Sequence, residues 1–172
     1  MDLLSTYHLK QWVEANKDYF NPPFRTNRLL VHHKDFLVMI LRGPNTRLDF
    51  HIEPGDEFFY QVEGDIVLKV VENGVPKDIP IRQGEMFLLP PLVPHSPQRP
   101  AATVGLVIER KRAEGELDGF QWYCEQCGTK LYEEFVPITD IVKQLPPIFE
   151  RFYGSDQNCV CRKCGARMLR PA

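Results

Sequence analysis

Residues 47–71 read RLDFHIEPGDEFFYQVEGDIVLKVV. Three short runs, RLDFH, EFFYQV and DIVLKVV, are rich in the β-branched and aromatic residues that suit a pleated, half-buried surface. Between them stand Glu53-Pro54-Gly55-Asp56 and Glu63-Gly64-Asp65, whose Pro, Gly and Asp residues favour turns. The same text extends outward: LLVHH (29–33) and FLVMIL (36–41) precede it, and KDIPI (77–81), EMFLLP (85–90) and TVGLVIE (103–109) follow. The turn signals His33-Lys34-Asp35, Gly43-Pro44-Asn45, Glu72-Asn73-Gly74 and Arg82-Gln83-Gly84 fall between these runs. Short strands at such regular spacing define an all-β sandwich or small barrel.

Composition agrees. Fifteen prolines and eleven glycines in 172 residues favour strands and turns over long helices, and 43% hydrophobic with 26% charged residues excludes a disordered or fibrous chain. A formal net charge of −2 offers no reason for a polyanionic partner. The opening MDLLSTYHLKQWVEANK lacks the apolar core of a signal peptide, and no run approaches the ~18 apolar residues of a membrane span. A soluble, cytoplasmic protein is expected. Ser5 or Thr6 is placed to cap a short helix with Leu9, Trp12, Val13 and Phe20 roughly on one face, ended by the prolines at 22 and 23 and packed on the main sheet.

Of the five histidines, His8, His32 and His33 read as structural or surface residues. His51 differs: Glu57 follows six positions on, across a Pro-Gly turn expected to fold one strand end back beside the next, and His95 sits just past LLPPLVP. Two imidazoles and one carboxylate suit a non-haem Fe(II) site with three open positions. The competing reading makes Glu57 a surface turn residue and His95 a loop histidine. Strand alternation puts Arg47, Asp49 and His51 on one face, and Arg99 on the face of His95 if that segment is extended. A guanidinium matches a carboxylate bidentately, although an isolated strand arginine is more often solvated. Glu109, ending an apolar run, would be costly inside a barrel unless partnered; a strand-end ion pair with Arg110 or Arg112 is the alternative to a functional role. Phe59 shares the face of Glu57 and suits an apolar pocket lining.

The segment from His51 to Gly64, with its acid six residues after the histidine and its glycine seven further on, resembles the first cupin motif. Glu53 stands where a second histidine is usual, which reads as a vacancy that reduces a four-ligand site to three. Residues 84–95, GEMFLLPPLVPH, resemble the second motif, with Leu92 in place of a usual Gly and Arg99 in place of a usual Asn. Together with GPNTRLDFH, DEFFYQVEG, FLLPPLVPHSPQRP, LVIER, LDGFQWYC and LPPIFERFY, they resemble the bacterial and fungal 3-hydroxyanthranilate 3,4-dioxygenase family over nearly the whole chain. The resemblance implies a cupin double-stranded β-helix, or jelly-roll barrel, with short helices. It also implies ring opening of 3-hydroxyanthranilate to 2-amino-3-carboxymuconate 6-semialdehyde with Fe(II) and O2, on the kynurenine route to quinolinate and NAD or in aromatic degradation. It further implies Fe(II) on His51, Glu57 and His95, a carboxylate clamp of Arg47 and Arg99, and Glu109 as hydrogen-bond acceptor and general base. Glu57, Asp49 and Phe59 complete the expected substrate contacts. By family analogy the chain is a homodimer.

After about Asp118 the text changes. Cys124-x-x-Cys127 and Cys161-x-x-Cys164, each followed by Gly, have the spacing of a closed rubredoxin-like or zinc-ribbon-like site for a structural Fe or Zn. A disulfide pair is disfavoured in a reducing compartment. Cys159, two residues before Cys161, is a leftover thiol that could displace that ligand. Two units follow: residues 1–118, a catalytic barrel with its N-terminal helix, and residues 119–172, the knuckle module. From residue 119 onward seven Lys/Arg oppose six Asp/Glu, which is not the footprint of a nucleic-acid-binding ribbon. The expected partners are a small aromatic substrate and O2. The non-enzymatic alternative is a cupin that binds a small aromatic acid without turning it over.

Overall fold

The computed structural model describes residues 6–20, 27–32, 34–45 and 47–171. The expected Ser5 cap, the prolines at 22 and 23, His33, and the side chains of His32, Ile141 and Val142 lie outside what is described. The described residues form eleven strands: β1 (Asn27–His32), β2 (Phe36–Arg42), β3 (Asp49–Ile52), β4 (Glu57–Glu63), β5 (Ile66–Glu72), β6 (Val75–Ile81), β7 (Met86–Leu89), β8 (His95–Gln98), β9 (Val104–Arg110), β10 (Asp118–Tyr123) and β11 (Lys130–Val136). Helices α1 (Leu9–Ala15), α2 (Ile141–Tyr153) and α3 (Asp156–Cys159) and a 3-10 turn (Lys17–Phe20) flank them.

The strands form two antiparallel sheets, ordered β1-β2-β9-β4-β7 and β11-β10-β3-β8-β5-β6. Consecutive strands β3, β4 and β5 lie in alternate sheets, so the chain repeatedly crosses between them, which is jelly-roll connectivity. The all-β, cupin-type barrel is therefore the observed class. One local expectation is corrected: Pro54-Gly55 does not return β4 beside β3 as a hairpin. It carries the chain to the opposite sheet, and this sets Glu57 across the barrel from His51.

Period-2 alternation decides what fills the barrel. Along β4, Glu57, Phe59 and Gln61 are buried, and along β5 so are Ile66, Leu68 and Val70. Phe59, Leu68, Val70, Ile81, Leu89 and Val107 make the apolar core between the sheets. Polar residues share these inward faces: Glu57 pairs in register with Glu109, and Gln61 with Gly105. The barrel is thus apolar in the middle and polar where the site lies.

A second core packs on the Phe120/Trp122 face of β10. Phe120 and Trp122 pack with Ile138, Ile148, Phe152, Cys159 and Met168, and Trp122 stacks on Phe152 with centroids 4.5 Å apart. The boundary expected between residues 118 and 119 falls within a sheet, because β10 pairs with β3 on one side and β11 on the other. The segment after His95, expected to bring Arg99 onto the same face if extended, is strand β8, and β10 and β11 lie in the stretch expected to form the separate tail.

The terminal helices also depart from the sequence reading. Helix α1 packs Leu9, Trp12 and Val13, with Phe20 from the 3-10 turn, against Leu30, Ile40 and Val104, as expected. Its cap is His8, whose side chain accepts from the Gln11 amide at 3.4 Å, and Asn16 ends it well before the prolines. Helix α2 begins at Ile141 and runs through Pro146 and Pro147. Asp140 caps it by accepting from the Lys143 amide at 3.2 Å. Burial of Ile148 and Phe152 on one face outweighs the hydrogen bonds the two prolines cannot donate.

Candidate metal centre

His51 lies on β3 and His95 opens β8; the two are register partners in one sheet, while Glu57 opens β4 in the other. All three are buried. His51 Nδ1 lies 3.7 Å from Glu57 Oε1, and His95 Nε2 lies 3.4 Å from Glu57 Oε2. One donor atom from each residue falls within 4.8 Å of the other two, close enough to share one ion. His95 Nδ1 is 3.0 Å from the Val93 carbonyl, which fixes this ring with Nε2 facing Glu57. Burial alone would raise the Glu57 carboxyl, but the facing histidines hold it down at about 2. Burial opposes the charged form of His95, yet Glu57 and the Val93 carbonyl raise its pKa.

Position 53 is not the vacancy expected from the motif. Glu53 is buried, and Arg112 donates to its Oε2. Burial, followed by the neighbouring Glu109 charge, pushes Glu53 up to about 10 against the pull of Arg112. Arg112 also bonds Glu109 and Asp118, and Asp118 Oδ1 lies 2.8 Å from His51 Nε2. Two imidazoles and a carboxylate, all buried and within reach of one another, are a donor set that fits a metal ion.

The two arginines expected to clamp a carboxylate are not equivalent. Arg47 is already engaged by Asp49, Nε to Oδ1 at 3.1 Å and Nη2 to Oδ2 at 2.5 Å. Arg99, only 2% exposed, donates from Nη1 to Gln61 Oε1 at 3.2 Å, and its Nε has no hydrogen-bond partner among the described residues. Burial first, then the charge of Arg47, lowers its pKa to about 10, so it is still cationic at neutral pH. A buried guanidinium with an unused donor is suited to an anionic ligand. Asn45 holds this segment by accepting from the Arg99 amide at 2.9 Å and donating to the Pro97 carbonyl at 2.9 Å. Phe59 meets His95 edge-on, centroids 6.3 Å apart, on the apolar side of the site.

Glu53, Gln61, Arg112 and Asp118 were missed as site residues. Glu53 was within reach of strand alternation, since it stands two residues after His51. Arg112 was in view as an ion-pair partner of Glu109, and the structure forms that pair; Asp118 had no local signal. Asp118 is 67 positions from its histidine.

At the other end, Cys124, Cys127, Cys161 and Cys164 come together, with Sγ separations of 3.5 Å (124 to 164) and 3.6 Å (127 to 161). Thiolates at a tetrahedral ion lie about 3.8 Å apart and disulfide sulfurs about 2 Å, so the spacing is that of a metal site. The knuckles match: the Gly128 amide donates to the Cys124 carbonyl and the Gly165 amide to the Cys161 carbonyl, both at 2.8 Å. Both glycines are left-handed, φ 68° and 76°. Cys159 stays outside the cluster, buried in the second apolar core.

A two-sheet antiparallel barrel with two imidazoles and a carboxylate converging between its sheets defines a cupin-type metal-binding protein. The chain belongs to the 3-hydroxyanthranilic acid dioxygenase family, whose model matches residues 1–153. It is 48% identical over 170 residues to a 3-hydroxyanthranilate 3,4-dioxygenase of Xanthomonas euvesicatoria pv. vesicatoria, covering 99% of this chain and 94% of that one. A protein of the same name from Jannaschia sp. is 44% identical over 96% of this chain and 92% of its own. One from Mus musculus is 51% identical over 87% of this chain and 51% of its own length. Among the described residues no helix is long and apolar enough to cross a membrane.

Proposed function

We propose that this chain is a ring-opening dioxygenase that converts 3-hydroxyanthranilate to 2-amino-3-carboxymuconate 6-semialdehyde, with both atoms of O2 entering the product. The observation that carries the reading is the pairing of a buried His51/Glu57/His95 cluster with a buried, under-bonded Arg99. It supports a ligand that bears a carboxylate at one edge and metal-seeking groups at another. Fe(II), the ion proposed here, would supply open positions where the amino and hydroxyl groups and dioxygen meet. The side chains supply the rest. Arg99, with Arg47 at its flank, orients the substrate carboxylate; Phe59 and the core beneath it give the ring an apolar wall and exclude water. Glu109, its Oε2 held by Arg112, accepts the phenolic proton at its free oxygen. Asp49 acts through Arg47, which it neutralises and holds.

The four-cysteine site is proposed as structural, holding Fe or Zn in a closed shell with no position for substrate. A homodimer is proposed by family analogy. The deciding experiment loads the protein anaerobically with Fe(II), adds 3-hydroxyanthranilate, then admits air. Stoichiometric oxygen uptake with the absorbance of the ring-opened product supports the enzyme. Tight substrate binding without uptake, at full iron occupancy, favours the non-catalytic cupin instead.

A further inference from the structure

We propose that Arg112, acting through Asp118 and directly on Glu109, is the positioning residue that orients both the metal-facing ring of His51 and the proton acceptor of the site. This rests on the dioxygenase reading and extends it to residues outside the ligand set.

Arg112, its side chain 11% exposed, bonds three carboxylates. Its Nη1 donates to Glu109 Oε2 in β9, and its Nη2 donates to Glu53 Oε2 in the turn after β3. At the start of β10 its Nη2 meets Asp118 Oδ1 at 2.5 Å and its Nε meets Asp118 Oδ2 at 3.0 Å. A planar fork can serve three acceptors in fixed directions, whereas an ammonium is a point charge. Asp118 is fully buried and takes three guanidinium contacts, Nε to both of its oxygens and Nη2 to Oδ1. That oxygen lies 2.8 Å from His51 Nε2.

A carboxylate only accepts, so the His51 proton sits on Nε2 and the lone pair on Nδ1, the nitrogen turned toward Glu57. Phe120 stacks on the same ring, centroids 5.2 Å apart and planes within 21°, which limits its tilt. Rotation of His51 is thus blocked by a bond at one edge and by a ring on one face. On its other arm Arg112 anchors one oxygen of Glu109, beside Glu57 in register, and so decides where the second oxygen points. A purely charge-balancing role would need only a cation; the geometry uses the fork.

The test compares wild type with Asp118→Asn and Arg112→Lys, each checked for folding by circular dichroism. Co(II) affinity is measured by chelator competition, following the weak visible bands of a nitrogen/oxygen site apart from the intense near-ultraviolet bands of cobalt on the four cysteines. Asp118→Asn should weaken Co(II) binding by roughly 10–100-fold, the usual cost of losing an outer hydrogen bond to a ligand, with the substrate KM at saturating Fe(II) changed by less than about threefold. Arg112→Lys keeps the charge and loses the fork; it should show the same loss of Co(II) affinity and, at saturating Fe(II), a kcat lower by about tenfold or more. Folded variants that bind Co(II) within about twofold of wild type and keep its kcat overturn the proposal. If Arg112→Lys does not fold, Asp118→Asn, which keeps the side-chain volume, decides alone. A wild type without oxygen uptake would overturn the dioxygenase reading while leaving the Co(II) comparison intact, so the two failures are distinct.

Discussion

Arg99 keeps a full charge where water does not screen it, and its space is set by a residue with no side chain. A Cβ built on Gly105 would stand 2.5 Å from Arg99 Nη1 and 3.0 Å from Gln61 Oε1. Gly105→Ala should therefore push the guanidinium aside and raise the substrate KM while the metal content, read by elemental analysis, stays unchanged. Arg99→Ala removes a buried charge-to-charge contact worth about 3 kcal/mol, a KM rise of roughly a hundredfold. Arg47→Ala should cost less, because Asp49 already neutralises that arginine. Equal effects of the two substitutions in steady-state kinetics would contradict this ranking. Both arginines were legible from strand alternation. Their inequality was not, since it comes from Asp49 on one side and Gln61 on the other.

Strand β10 links the catalytic barrel to the tail. Its Phe120 stacks on His51 and also joins Trp122 and Phe152 in the second core. Phe152→Ala in α2 should destabilise the protein by about 3–5 kcal/mol, measured by urea unfolding, through loss of a fully buried ring. The runs with clean alternation, β4 and β5, were legible because their inward residues Phe59, Ile66, Leu68 and Val70 contact a single core. Strand β8 (HSPQ) was obscured by its proline, tolerated here in a four-residue strand. Strand β10 (DGFQWY) is buried along nearly its whole length, so it has no polar face to mark its period.

On the scale of the whole molecule, the two metal regions are joined through a shared sheet. A chain ending at Asp118 would lose Phe120, the second core and one of the two partners of β3. It should show no cooperative thermal transition and retain no metal at His51; a sharp melt with bound metal would establish residues 1–118 as an independent unit. Cys127→Ser leaves three thiolates and should cost about 3 kcal/mol, roughly 6–12 °C in Tm by calorimetry, while iron at the histidine site is retained below the transition.

The sequence alone pointed to the barrel class and the four-cysteine spacing through period-2 alternation, turn chemistry and Cys-x-x-Cys, while the His51/Glu57/His95 set and the two arginines were proposed from spacing together with the family resemblance. Only the tertiary structure decided that position 53 is filled, that Arg112 binds Glu53, Glu109 and Asp118 together, and that His51 is held by a carboxylate 67 positions away. The contacts of Arg112 with Glu53 and of His51 with Asp118 join positions 59 and 67 apart. Their partners are chosen by how the two sheets close on each other, and local sequence carries no record of that closure.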